Sequence, residues 1–199
     1  ITTGASTDLV GDCDAPAGDN VVIVATDGIT GMTTYQLTYS LDASQANVYA
    51  MAGTVDTAMS IPRAFQVATP FGADIGGVSP AFFALSADSE FDSWLTVGVT
   101  DATAVSDISS IGINFDEWTI NDGISTNNAA VFWMDPAQGP STSTVVLAQV
   151  TVATGSGGQA AAVLQGRSSG DAEDWSMATS WDLSGGTAGP APPPTPPPP

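Results

Sequence analysis

The sequence predicts an all-β protein: an antiparallel β-sandwich of jelly-roll or immunoglobulin-like type with about 9–11 strands. Three observations carry this. Val, Ile and Thr supply 50 of the 199 residues, whereas the helix-favouring Glu, Leu, Lys and Arg supply 13. Several segments alternate apolar and polar residues with a period of two. Turn dipeptides punctuate them at short intervals. The same signals allow a closed barrel as the alternative architecture.

In chain order, residues 1–20 read as an N-terminal arm or loop, in which Asp8, Asp12, Asp14 and Asp19 cluster around Cys13 and Pro16. Residues 21–25 form a continuous apolar run, as expected of a central strand covered on both faces. After the Asp27-Gly28 turn, residues 35–41 alternate strictly and place Tyr35, Leu37, Tyr39 and Leu41 on one face. Residues 47–52 and 82–86 are further strand candidates. Leu95, Val97 and Val99 line one face of the next strand, with Thr96 and Thr100 opposite. Residues 110–115 follow, then the Asp122-Gly123 turn and a second continuous apolar run at 129–134. Beyond Asp135-Pro136 and Gly139-Pro140, Val146, Ala148, Val150 and Val152 share a face. The Gly157-Gly158 and Ser169-Gly170 turns separate the last candidates, residues 161–165 and 176–183.

The sandwich domain is thus expected over residues 21–184, followed by a glycine hinge and proline-rich tail at 185–199. Eight of the 14 prolines lie in the last ten residues. Such a run lacks backbone donors and adopts polyproline II, reaching about 30 Å over ten residues as a semi-rigid spacer.

Charge and absences narrow the function. The chain has 21 acidic residues, no His, and two cations, Arg63 and Arg167, for a net charge of −19. No basic stripe exists to grip nucleic acid or dock on anionic lipid, and no apolar run reaches the ~20 residues of a membrane span. Without His there is no Ser-His-Asp or Cys-His catalysis; without Lys there is no Schiff base. Carboxylate chemistry remains, but nothing in spacing pairs Glu90, Glu117 or Glu173, and Val55-Asp56-Thr57-Ala58 reads as an ordinary turn. No catalytic residue is assigned, and the chain is expected not to be an enzyme.

Asp12, Asp14 and Asp19 place hard oxygens in one loop and are the first candidates for a Ca²⁺ site. Further oxygen-rich patches are Asn114, Asp116, Glu117, Asn121 and Asp122, and then Asp171, Glu173 and Asp174. Each also reads as a solvated turn using Asx geometry. No cofactor is required, and Ca²⁺ is the cation these loops would take. The tryptophans Trp94, Trp118, Trp133, Trp175 and Trp181 raise carbohydrate binding, although core packing is the expected fate of at least three of them. Cys13 has no intrachain partner, so it forms an interchain bond or stays a free thiol. Ile1-Thr2-Thr3-Gly4 reads as a mature N-terminus left by signal-peptide removal, which implies an extracellular location. No Asn-x-Ser/Thr sequon occurs.

Residues 190–199 resemble the proline-rich modules of hydroxyproline-rich glycoproteins, pherophorins and extensins among them. That resemblance implies hydroxylation and O-linked glycans among Pro192, Pro193, Pro194, Thr195, Pro196, Pro197, Pro198 and Pro199. The segments at residues 70–77, 92–98, 130–136 and 165–168 resemble a domain of secreted surface proteins in algae and other aquatic protists, the protomer type of native extracellular fibrils. It has no activity to carry over.

A sandwich with an arm at one end and a rigid tail at the other can engage neighbours head to tail, giving an open filament. Residues 1–10 are expected to add to a sheet edge of the next copy, with Ile1, Leu9 and Val10 as apolar anchors and Cys13 as a candidate link. A terminus without fixed structure is the competing expectation. The sequence therefore reads as a non-enzymatic structural subunit of an extracellular fibril or matrix, whose partners are copies of itself and O-linked glycans. The alternatives are a carbohydrate-binding or Ca²⁺-dependent adhesion module and, more distantly, a hydrolase.

Overall fold

The computed structural model describes residues 18–170 and 173–188. The described residues form twelve strands and no α-helix: β1 (Gly18–Thr26), β2 (Met32–Ser40), β3 (Ala50–Gly53), β4 (Met59–Ile61), β5 (Trp94–Leu95), β6 (Ile108–Ile111), β7 (Ile124–Thr126), β8 (Ala129–Trp133), β9 (Thr144–Ala153), β10 (Gln159–Gly166), β11 (Trp175–Asp182) and β12 (Thr187–Ala188). The class is all-β, as the composition predicts. One sheet runs β12-β1-β2-β9-β5, antiparallel throughout except for β12, which lies parallel to β1. The second is entirely antiparallel. Its strand β10 carries β11 along one edge, while β3 and β4 share the other edge end to end. Beyond them β8 pairs β3, β7 pairs β4, and β6 closes that side.

Local chemistry sets the connections. At the β1–β2 hairpin the Asp27 carboxylate accepts the Gly31 N–H at 3.1 Å, and the Asp27 N–H donates to the Met32 carbonyl at 2.8 Å. Asp27 and Gly31 both take positive φ, a conformation these two residue types tolerate. The predicted 35–41 strand is part of β2, and its Leu37 and Tyr39 are buried between the sheets.

Several strand expectations change on the structure; of residues 110–115, only the first two are strand, since β6 ends at Ile111 and a 3-10 turn forms at Phe115–Glu117. The alternation at Val146, Ala148, Val150 and Val152 breaks, because Leu37 pairs with Ala148 while the adjacent Thr38 pairs with Val146. Leu147 is thus an extra, bulged residue. Val145 and Leu147 before the shift, and Ala148, Val150 and Val152 after it, are buried, whereas Val146 is only half-buried. The stretch through Leu95, Val97 and Val99 is buried as its pattern requires, but the strand stops at Leu95. The Thr96 hydroxyl donates to the Val99 carbonyl at 2.6 Å and accepts the Val99 N–H at 3.0 Å, and Gly98 between them has φ +82°. Residues 82–86 form no strand: Ser79-Pro80 opens a 3-10 turn at Pro80–Phe82, and Ala87–Phe91 form another. Residues 21–25 lie in β1 but are half-buried, because β1 is flanked on its outer side only by the two-residue β12.

The sheet also takes in residues read as arm and hinge, since β1 starts at Gly18 and β12 reaches Ala188. Between the sheets lie Leu37, Met51, Met59, Leu147, Leu164, Trp118 and Trp181. Trp181, on β11, donates its indole N–H to the Thr38 carbonyl of β2 at 2.8 Å, which stitches the two layers together.

Candidate functional site

The five tryptophans are committed to the fold. Trp94, Trp118 and Trp181 are buried, as expected of at least three. Trp133 is half-buried and donates to the Val97 carbonyl at 2.7 Å. Trp175 stacks on Tyr39 with ring centroids 5.8 Å apart and donates to the Asn47 and Arg167 carbonyls. Trp133 and Trp175 keep part of their surface exposed.

The carboxylates divide into exposed turn-formers and one buried group. Glu90, Glu117 and Glu173 are all exposed. Asp42, Asp101 and Asp182 each accept hydrogen bonds from a residue two positions on, and those bonds hold their carboxyls below the ordinary range. In the third acidic patch, Asp174 is taken by the Arg167 guanidinium at 2.9 and 3.1 Å and by the Tyr49 hydroxyl at 3.2 Å. It is thus an ion-pair partner. Half-exposed as it is, that pair contributes about 0–1 kcal/mol. Among the described residues no group of three or more Asp or Glu is arranged to hold a metal. Of the Ca²⁺ candidates, Asp19 lies in β1 with its backbone paired to Tyr39, and Asp12 and Asp14 lie outside the described residues. So do Ile1, Leu9, Val10, Cys13 and the tail from Pro192 to Pro199.

Asp92 is the exception among the acids. It is fully buried, and its two oxygens accept the Val67 and Ala73 N–H groups, each at 2.7 Å. Burial pushes its carboxyl up to about 6, against the opposing pull of those hydrogen bonds, and the nearby Asp74 adds to the rise. The group clamps the loop between residues 65 and 75 onto the 3-10 turn that precedes β5. It serves as an anchor: among the described residues no cation faces it.

Two surface features remain. The first is the outer edge of β11. All eight residues pair with β10 on one side, while among the described residues the other side has no strand. Sheet edges are normally short, charged, bulged or interrupted by proline. Here Ser176, Met177, Ala178 and Ser180 are exposed, and the first charge is Asp182 at the end. The buried Thr179 hydroxyl has no hydrogen-bond partner. Other edge strands are β6 with four residues, β7 with three, and β5 and β12 with two each, while nine-residue β1 pairs with β12 only at Val22 and Ile23, so part of its outer edge is uncovered too. A local anchor fixes the start of β11, where a Cβ on Gly166 would fall 2.5 Å from the Trp175 indole.

The second feature is a groove of about 450 Å³ at the end of the sandwich where β10 begins. Pro62, Ala64, Ile120, Val152 and Gly158 line it, and the exposed Arg63 stands at its rim. The other arginine is ion-paired; Arg63 is within salt-bridge distance of no carboxylate among the described residues.

Sequence reasoning placed the 176–183 strand correctly but gave no sign that it is an edge, because pairing order is a property of the whole sheet. Compared with protein-family models, with curated proteins and with solved structures, the chain matches none of them.

Proposed function

We propose that this chain is a secreted, non-enzymatic structural subunit of an extracellular fibril or matrix. It polymerises through its terminal extensions: residues 1–10 of one copy add a strand to β11 of the next, and the proline-rich tail carries O-linked glycans and spaces the fibril from its surroundings. The observation that carries this reading is the open, eight-residue, nearly uncharged edge of β11. A strand added there satisfies backbone groups that water otherwise serves, and gains affinity through main-chain bonds. Contacts of this kind act at short range. That matters for a subunit with a charge of −19, whose copies repel one another at distances up to a Debye length of about 8 Å in physiological salt.

The test is hydrogen exchange on the full chain, compared between monomer and assembled material. The amides of residues 175–182 that point away from β10 should exchange freely in the monomer and become protected on assembly. Assembly that leaves those amides as fast as before would remove β11 as the acceptor.

A further inference from the structure

We infer that the groove at Arg63 receives the acidic segment at residues 11–17 of a second copy, and that this contact forces the incoming strand to run parallel to β11. The inference rests on the strand-addition reading above and adds its polarity and its charge contact.

Two independent observations meet at this place. Arg63 is an exposed cation without a carboxylate partner among the described residues, in a chain with 21 acidic residues. An exposed guanidinium at the rim of a groove lined by both apolar residues (Pro62, Ile120, Val152) and polar ones (Thr151, Ser156) suits a peptide that brings both a carboxylate and apolar side chains. The segment before β1 has that composition, with Leu9 and Val10 followed by Asp12 and Asp14.

Geometry sets the direction. Gln159 pairs with Asp182, so the C-terminal end of β11 lies at the start of β10, and the Leu183 N–H donates to the Gly158 carbonyl at 2.9 Å. Gly158 is also a wall of the groove. On the other edge of β10, Ala161 pairs with Ser60, so β4 ends at the same end of the sheet and delivers Pro62 and Arg63 there. A strand added outside β11 stands three strand spacings from β4, about 14 Å. Four extended residues, the separation of Val10 from Asp14, cover about 14 Å. If residues 3–10 lie along β11 and the chain leaves at the Asp182 end, Asp12 and Asp14 arrive at Arg63. Leaving at the Trp175 end would carry them away by the length of β11. The strand must therefore run from Trp175 towards Asp182, in the direction of β11 itself. Asp182 is the like charge at that exit, and its carboxylate is already engaged by the Ser184 N–H at 2.9 Å and the Ser184 hydroxyl at 2.6 Å.

The experiment uses a fluorescent peptide of residues 1–17 with Cys13→Ser, titrated by anisotropy into the full-length chain, also Cys13→Ser, held below its assembly concentration. Binding should weaken about tenfold with Arg63→Glu, and by a similar factor when the peptide instead carries Asp12→Asn and Asp14→Asn. The second arm leaves the folded protein untouched. A photocrosslinker at peptide position 3 should label the Trp175 end of β11, and one at position 10 the Asp182 end. Equal binding by the native and Asn peptides, or the reverse labelling order, would overturn the inference while strand addition stood. A peptide that binds without labelling β11 at either position would overturn both.

Discussion

Asp92 gives the sharpest prediction about the fold. Its carboxyl is raised from 3.8 to about 6 because burial disfavours the charge more than the Val67 and Ala73 N–H groups favour it. The folded-state value lies above the unfolded one, so between them the native state holds a proton that the unfolded chain has lost. Stability therefore increases as the pH falls from 7 through 6, is fully present below 3.8, and is lost as the pH rises through 6. At about 1.4 kcal/mol for each pH unit, the contribution is about 3 kcal/mol, or a shift in Tm of about 6–12 °C for a domain of this size. The assay is thermal unfolding of the wild type and Asp92→Asn from pH 7.5 to 4. Asn cannot ionise, and its amide nitrogen meets one of the two backbone donors, which adds a pH-independent cost of about 1–3 kcal/mol. Relief of general repulsion on acidification acts on both proteins and cancels in their difference. Asp74, which its own burial and then Asp116 push upward, does not cancel, because its charge adds to the rise at Asp92; protonating it works in the same direction as protonating Asp92. The difference in Tm should widen in favour of the wild type as the pH falls. A difference that stays flat from pH 7.5 to 4 would refute the reasoning, since it would mean that Asp92 ionises in the fold as it does in the unfolded chain.

Three further outcomes follow from the same structure. Trp181→Ala removes the fully buried indole and its bond to Thr38, and should cost about 3–5 kcal/mol in denaturant unfolding, with β11 exchanging fastest. Gly98→Ala should cost about 1–3 kcal/mol by the same measurement, because φ is +82° there and the new Cβ would stand 2.7 Å from Pro140. Intact mass of native material should exceed 20.0 kDa by pentose or hexose increments located to the C-terminal peptide, and an unmodified peptide would remove the glycan proposal.

The all-β class was legible because composition and period-two alternation are local properties, and Leu37 and Tyr39 sit where that alternation puts them. The errors came where a long-range contact or a side chain overrode the local pattern. At Leu147 a bulge moves the buried face from odd to even positions, and no residue type in β9 announces it. At Thr96 a hydroxyl ends a strand whose apolar spacing continues to Val99. At residues 21–25 the apolar run reflected a place near the sheet edge, because hydrophobicity does not report strand order. The candidate surface was harder still. The sequence counted Arg63 as one cation among two, but its lack of a partner depends on where each carboxylate of the fold ends up. Asp92 could be singled out only once burial was known, as its neighbours Glu90 and Asp88 are exposed. The tryptophans were the reverse case: their size argued for the core, and the core is where Trp94, Trp118 and Trp181 lie.

The most direct test of subunit assembly by strand addition is a near-atomic image reconstruction of filaments grown from the full-length chain. The account predicts continuous main-chain density from residues 3–10 of one copy along the outer edge of β11 of the next, parallel to it, with Asp12 or Asp14 at Arg63. Filaments in which the outer edge of residues 175–182 faces solvent, and the subunits meet through other surfaces, would contradict it.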